Sequence, residues 1–241
     1  MYEKLKKIID DSDNIVFFGG AGVSTESNIP DFRSADGIYN QNTGTKYPPE
    51  TIISHSFFEK NPEFFYEFYK DKMVYQDAKP NKAHKALAKL EQFGKLKAII
   101  TQNIDGLHQA AGSKNVLELH GSILRNYCTK CHTFYDLDYV MNKKGIPYCD
   151  KCGGMVKPDV VLYEESLDGE TIEKAIRYIS QADVLIIGGT SLVVYPAASF
   201  VNYYKGNKLV LLNKSETFRD SYADLVIHDP IGEVLGSIIP T

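Results

Sequence analysis

Apolar positions in this chain fall into short unbroken runs, separated by stretches in which they recur every three or four residues. Ile15-Val16-Phe17-Phe18, Leu96 to Ile100, Val116 to Leu119, Val160-Val161-Leu162-Tyr163, Val184 to Ile187 and Lys208 to Asn213 read as strands. Leu5, Ile8 and Ile9 share one helical face within residues 1–13, and further helices are expected near 61–75, 81–92, 169–180 and 196–205. The helix at 61 has Asn61 to cap it and Pro62 at its first position. Apolar strands alternating with helices predict an α/β fold: a doubly wound, Rossmann-like parallel sheet. Pro30 to Pro49 is rich in Gly, Asn, Thr and Pro and reads as a long loop, the kind that serves as a lid or binding segment.

Composition narrows the class. Of 241 residues, 43% are hydrophobic and 24% charged, as in a globular chain of one large domain or one domain with an insertion. A net charge of −4 and a pI near 5.9 give no overall attraction for nucleic acid or anionic membrane. No apolar run approaches the roughly 20 residues of a membrane helix, and the N-terminus lacks a secretory apolar core. A soluble cytoplasmic protein is expected.

The four cysteines sharpen that expectation. Cys128-x-x-Cys131 and Cys149-x-x-Cys152 are separated by 17 residues, a spacing suited to one tetrahedral zinc ion. Four sulfur ligands leave no position for water, so the metal should be structural. A zinc-ribbon module for nucleic acid is the competing class. It needs a basic surface, and Arg125 is the one arginine between residues 34 and 176.

Other motifs are ambiguous singly. Gly19-Gly20-Ala21-Gly22 follows a strand as a phosphate loop does, yet it is not a full GxGxxG pattern and could serve only a turn. The second strand ends in Thr101-Gln102 rather than in an acid for a ribose, which disfavours an ordinary oxidoreductase. Gln102, Asn103, Asp105 and His120 would all follow strands of one sheet, on the same edge as the glycine loop, and that convergence suggests a site.

Taken in order, GAGVSTESNIPDFRS, TQNIDGLHQAAG, LHG, the paired CxxC knuckles and GTSLVVYPA resemble the sirtuins, NAD-dependent protein deacylases, over essentially the whole chain. The compact length is similar to that of bacterial and archaeal members. The resemblance implies a Rossmann-like NAD domain from residues 1–30, 76–122 and 159–241, a cofactor loop and helical insertion at 31–75, and a zinc module at 123–158. It places Ala21, Gly22 and Thr25 near the phosphates, and Phe32 and Arg33 beside nicotinamide and the reacting ribose. Gln102, Asn103, Ile104 and Asp105 fall in the ribose and nicotinamide pocket, and Thr190, Ser191, Asn213 and Asp229 on the adenosine side.

The implied reaction releases nicotinamide as the acyl-lysine oxygen attacks the ribose, giving an alkylimidate. His120 then acts as general base, and Asn103 orients a ribose hydroxyl or water. Val160, Val161 and Tyr163 are implied substrate contacts, with acylated-lysine proteins or peptides as partners. The same scaffold carries desuccinylases, demalonylases and protein ADP-ribosyltransferases as alternatives. Several positions depart from the family pattern, the first being Gly20, where a threonine often precedes the alanine. Asn28 replaces a glycine, Lys157 stands where an arginine is usual, and Tyr163-Glu164-Glu165 replaces Phe-Gly-Glu. Tyr69 and Lys72 occupy the place of a Tyr-x-x-Arg pair that favours succinyl-lysine, against the simpler reading of a packed tyrosine and a solvated lysine.

Overall fold

The computed structural model describes residues 1–34, 37–40 and 46–239. Of the expected 30–49 loop, residues 35–36 and 41–45 therefore lie outside the described residues. Among the described residues, nine strands form two sheets: β1 Ile15–Gly19, β2 Leu96–Thr101, β3 Val116–Glu118, β4 Gly121–Cys128, β5 Phe134–Tyr135, β6 Val156–Val160, β7 Val184–Gly188, β8 Lys208–Leu212 and β9 Leu225–Ile227. The larger sheet runs β3-β2-β1-β7-β8-β9, and every neighbouring pair is parallel. The chain winds outward from β1 in one direction and from β7 in the other, so the topological switch lies between β1 and β7. In open α/β sheets, ligands bind beyond the strand ends at that point.

The central strands are apolar throughout because both faces are covered. Ile15 and Phe17 pack with Leu5, Leu87 and Leu235 from the helices Tyr2–Asp10, Lys82–Gln92 and Ile231–Ile238. Val16 and Phe18 point the other way, onto Ala175 and Ile179 of the helix Gly169–Gln181 and onto Phe200. The segment expected as a helix at 196–205 is a tight 3-10 turn, Ala197–Tyr203. Among the described residues, no helix is long and apolar enough to cross a membrane.

The smaller sheet is antiparallel, ordered β5-β4-β6. It shares one core with the helical insertion: Phe58, Phe65 and Tyr66 pack among Cys128, Val140 and Val156. The expected strand at 160–163 is corrected here, because the pairing runs from Val156 to Val160. Beyond Val160 the chain leaves β4, as Val161 N–H donates to His120 O and Tyr163 N–H to Ile53 O, both at 3.0 Å. The expected helix 61–75 is regular over Pro62–Phe68 and widens into a π-turn at Tyr69–Met73.

Candidate active site

At the β1–β7 switch two loops meet backbone to backbone. Gly22 N–H donates to Gly189 O at 2.8 Å, and Gly20 N–H to Gly188 O at 3.2 Å. A Cβ on Gly22 would lie 2.8 Å from Gly189 Cα, and Gly189 has φ +60, so the contact needs both glycines. Asn28 also adopts the left-handed backbone, φ +62, as an asparagine readily does. Above these loops opens a cleft of about 990 Å³. Ala21, Gly22, Thr25, Phe32, Arg33, Gln102, Asn103, Ile104, Asp105 and His120 all line it. So do Val160, Val161, Tyr163, Lys72, Thr190, Ser191, Asn213 and Asp229.

Within the cleft the hydrogen bonds fix protonation states. His120 leaves the large sheet just after β3, and its Nδ1 lies 2.9 Å from Gln102 O. A carbonyl only accepts, so Nδ1 carries the proton, and a neutral ring then keeps its lone pair on Nε2. Burial lowers the pKa of His120 below the ordinary histidine value, partly opposed by that hydrogen bond, so the neutral form prevails at pH 7.

A second chain holds Asp105. Asn81 N–H donates to His84 Nδ1 at 3.3 Å, which leaves the proton of that ring on Nε2, 3.4 Å from Ser24 Oγ. Ser24 also accepts from Asn103 Nδ2 at 3.1 Å and donates to Asp105 Oδ2 at 2.6 Å. Asp105 Oδ1 accepts from Leu107 N–H at 2.9 Å. Burial raises the Asp105 pKa, with both hydrogen bonds opposing it. Gln102 Nε2 donates to Thr190 Oγ1 at 3.1 Å and ties the β2 loop to the β7 loop.

On the outer side, Asp31 Oδ1 accepts from Arg33 N–H at 3.0 Å and Ser34 N–H at 2.8 Å, turning the chain sharply after Pro30. Phe32 packs against Tyr39 with the rings tilted by 59° and 5.4 Å apart, and the Arg33 guanidinium lies 5.2 Å from the centre of the Tyr39 ring. The Tyr39 and Tyr163 hydroxyls are 3.0 Å apart, bridging the loop to the segment after β6. Tyr2 OH donates to Asp229 Oδ2 at 3.0 Å at the far end. Tyr69 is a correction: it is fully buried, stacked on Phe65 at 5.7 Å, and does not line the cleft. Lys72 does line it, paired with Asp71 at 2.9 Å.

The cysteine sulfurs all lie within 4.8 Å of one another, with Cys128–Cys152 at 3.4 Å and Cys131–Cys149 at 3.6 Å. A tetrahedron with Zn–S bonds of about 2.3 Å has edges of about 3.8 Å. The set therefore fits a zinc ion and is too open for disulfides, whose sulfurs approach to about 2.05 Å. Lys130 and Cys131 N–H groups point at Cys128 Sγ, at 3.4 and 3.5 Å, as donors to a thiolate do.

These features have counterparts in known proteins. The Sir2 family model matches residues 20–196, which spans both glycine loops, His120 and all four cysteines. The chain belongs to the Sir2 family. An NAD-dependent protein deacetylase of Clostridium perfringens is 67% identical over 98% of this chain and 97% of its own, and one of Staphylococcus aureus is 45% identical over 98% and 97%. Among solved structures, a Sir2 homologue in complex with NAD has a TM-score of 0.88 at 40% identity, covering 98% of this chain and 92% of its own. A Sir2 protein with a deacetylated p53 peptide and 3′-O-acetyl ADP-ribose has a TM-score of 0.88 at 39% identity, over 97% and 95%.

Sequence reasoning singled out none of three residues of this Sir2 protein: Ser24 and Tyr39, which line the cleft, and His84, which is buried against Ser24. Ser24 and Tyr39 are single polar residues in loops, and His84 lies inside an amphipathic helix whose face is otherwise apolar. Only the three-dimensional chain from Asn81 to Asp105 shows what Ser24 and His84 do. Lys157, in place of the usual arginine, pairs with Glu165 at 3.2 Å, and His55 Nδ1 lies 2.9 Å from the same carboxylate. That network fastens the segment after β6 to the helical insertion.

Proposed function

We propose that this chain is an NAD-dependent protein-lysine deacetylase, releasing nicotinamide and passing the acetyl group to ADP-ribose. The observation that carries the reading is His120 in the cleft, neutral, its Nδ1–H committed to Gln102 O and its Nε2 free to accept a proton. NAD supplies a ribose carbon that becomes electrophilic as nicotinamide departs, and the acetyl-lysine oxygen is the nucleophile. The backbone N–H of Ala21 suits the diphosphate, while Gly22 N–H is committed to Gly189 O and lets the phosphates approach a surface without a side chain. Asp105, held by Ser24 and Leu107 N–H, is placed to accept from the nicotinamide carboxamide, and Asn103 to orient a ribose hydroxyl. His120 Nε2 takes a hydroxyl proton in the acyl-transfer step. Phe32, Ile104 and Ile123 give the cleft apolar walls that keep water from the reacting carbon.

Thr190, Ser191, Asn213 and Asp229 bound the adenosine half. Acetyl-lysine enters past Val160, Val161 and Tyr163, between the NAD domain of residues 1–30, 76–122 and 159–241 and the smaller body formed by the 31–75 insertion and the 123–158 zinc module. Zinc holds the smaller sheet together and takes no part in the chemistry. A reducing, cytoplasmic setting suits four thiols kept as metal ligands.

The test is turnover of an acetyl-peptide panel by wild type and His120→Ala. Wild type should form deacetylated peptide and O-acetyl-ADP-ribose, and the variant should lose about 10²- to 10⁴-fold. Because burial lowers the folded His120 pKa, the acid limb of wild-type kcat/KM should lie below the ordinary histidine value. Nicotinamide release no faster than blank across the panel would overturn the assignment, and label from NAD on protein instead of in a small product would point to ADP-ribosyl transfer.

A further inference from the structure

The segment after β6 places an acid where the backbone least favours a side chain. Glu164 has φ +74, in the left-handed region. Its carboxylate accepts from Ser56 N–H at 2.8 Å and from Ser56 Oγ at 3.0 Å. Both donors are neutral, so they fix the carboxylate in place without cancelling its charge. Among the described residues these are its partners, and no cation pairs with it. Glu165, one residue on, is by contrast neutralised by Lys157 and His55.

Glu164 is also exposed and lines the same cleft as His120, next to Tyr163, which is itself 38% exposed. Of the lysine and arginine residues lining that cleft, Arg33 stacks on Tyr39 and donates to Tyr163 OH, Lys72 pairs with Asp71, and Lys214 lies just after β8 beside Asn213; none of them pairs with Glu164. A peptide that brings an acyl-lysine to His120 therefore passes a fixed, unpaired carboxylate.

We propose that Glu164 is a specificity-determining residue that favours acyl-lysines flanked by arginine or lysine. The inference rests on the deacetylase reading above for its substrate. An exposed ion pair of this kind supports a preference of about two- to five-fold. It should vanish in 1 M salt, where the screening length falls to about 3 Å.

The test uses two acetyl-lysine peptides that differ only in carrying two arginines or two glutamates on each side of the acetyl-lysine. Both kcat/KM and the Kd from fluorescence anisotropy are measured for wild type, Glu164→Gln and Glu59→Gln. Glu59 is the control, an acid on the neighbouring helix whose partner is His55 at 3.4 Å. The wild-type ratio should favour arginine about two- to five-fold, fall to about one in Glu164→Gln, and persist in Glu59→Gln. A ratio, unlike an absolute rate, is insensitive to the fraction of folded enzyme. A wild-type ratio near one, a ratio that survives Glu164→Gln, or equal loss in both variants would overturn the proposal. If no peptide is turned over but the binding ratio behaves as stated, the deacetylase reading fails and the role of Glu164 stands.

Discussion

Gly121→Ala tests how tightly the general base is held. Gly121 follows His120 and opens β4, so this one peptide unit joins the large sheet to the small one. Its φ is +76, and a Cβ there would lie 1.9 Å from Asp159 O on the paired strand β6. The left-handed backbone alone costs roughly 1–2 kcal/mol for an alanine. Relieving the clash requires β4 to move away from β6 by more than about 1 Å, and overpacking of that kind adds about 1–3 kcal/mol. The total of about 3 kcal/mol corresponds to a fall in Tm of about 6–12 °C for a chain of this length. A displacement of about 1 Å at His120 should lower kcat about 100-fold.

Gly145→Ala is the matched control, because Gly145 has φ +64 and nothing within 4 Å of a Cβ. It carries the backbone cost of about 1–2 kcal/mol without the clash, so its Tm should fall by about 2–8 °C, less than that of Gly121→Ala, with normal turnover. Thermal unfolding and acetyl-peptide turnover at saturating NAD provide both readings. If Gly121→Ala melts like Gly145→Ala and keeps kcat within about two-fold of wild type, the account of the junction is wrong.

The remaining predictions concern other parts of the molecule. His84 and His108 are buried with their rings 4.8 Å apart, and burial lowers their pKa values to about 4 and about 3. Unfolded histidines protonate near pH 6.5 and these folded ones do not. Stability should therefore fall as pH drops from about 6.5 towards 4, by up to about 1.4 kcal/mol per pH unit for each ring. His108→Leu should flatten that profile, and an unchanged slope of Tm against pH would count against it. One zinc per chain is expected from elemental analysis. Cys149→Ala should lose the metal and melt earlier; full metal content in the variant would refute the four-sulfur site. Acetyl-lysine should be turned over faster than succinyl-lysine, since Tyr69 is packed in the core and Lys72 is paired with Asp71; equal rates would reverse that reading.

The parallel sheet was legible because its central strands are buried on both faces and read as unbroken apolar runs. The glycine loop, the TQNID segment and His120 were legible because all three follow such strands, and the strand ends converge. Other features were hidden for local reasons. Val160 to Tyr163 is apolar enough for a strand, yet its donors are taken by His120 O and Ile53 O, contacts remote in sequence. Strand β9 is three residues long, and the helix after it, Ile231–Ile238, contains Gly232 and Gly236, which weaken its helical signal. Tyr69 has helical spacing that fits either a core or a pocket, and only its neighbours Phe65 and Tyr66 decide between them.

The contact between Gly22 and Gly189 also bears on how a chain like this one can vary. Neither position admits a side chain, so mutation has almost no room at the place where the two halves of the sheet touch. The rim is different: Glu164 and Tyr195 are exposed side chains that line the cleft, and no side chain is excluded there by an opposing backbone. A lineage that changes its target proteins would drift at the rim while the floor stays frozen, and divergence in specificity need not touch the machinery that breaks the glycosidic bond.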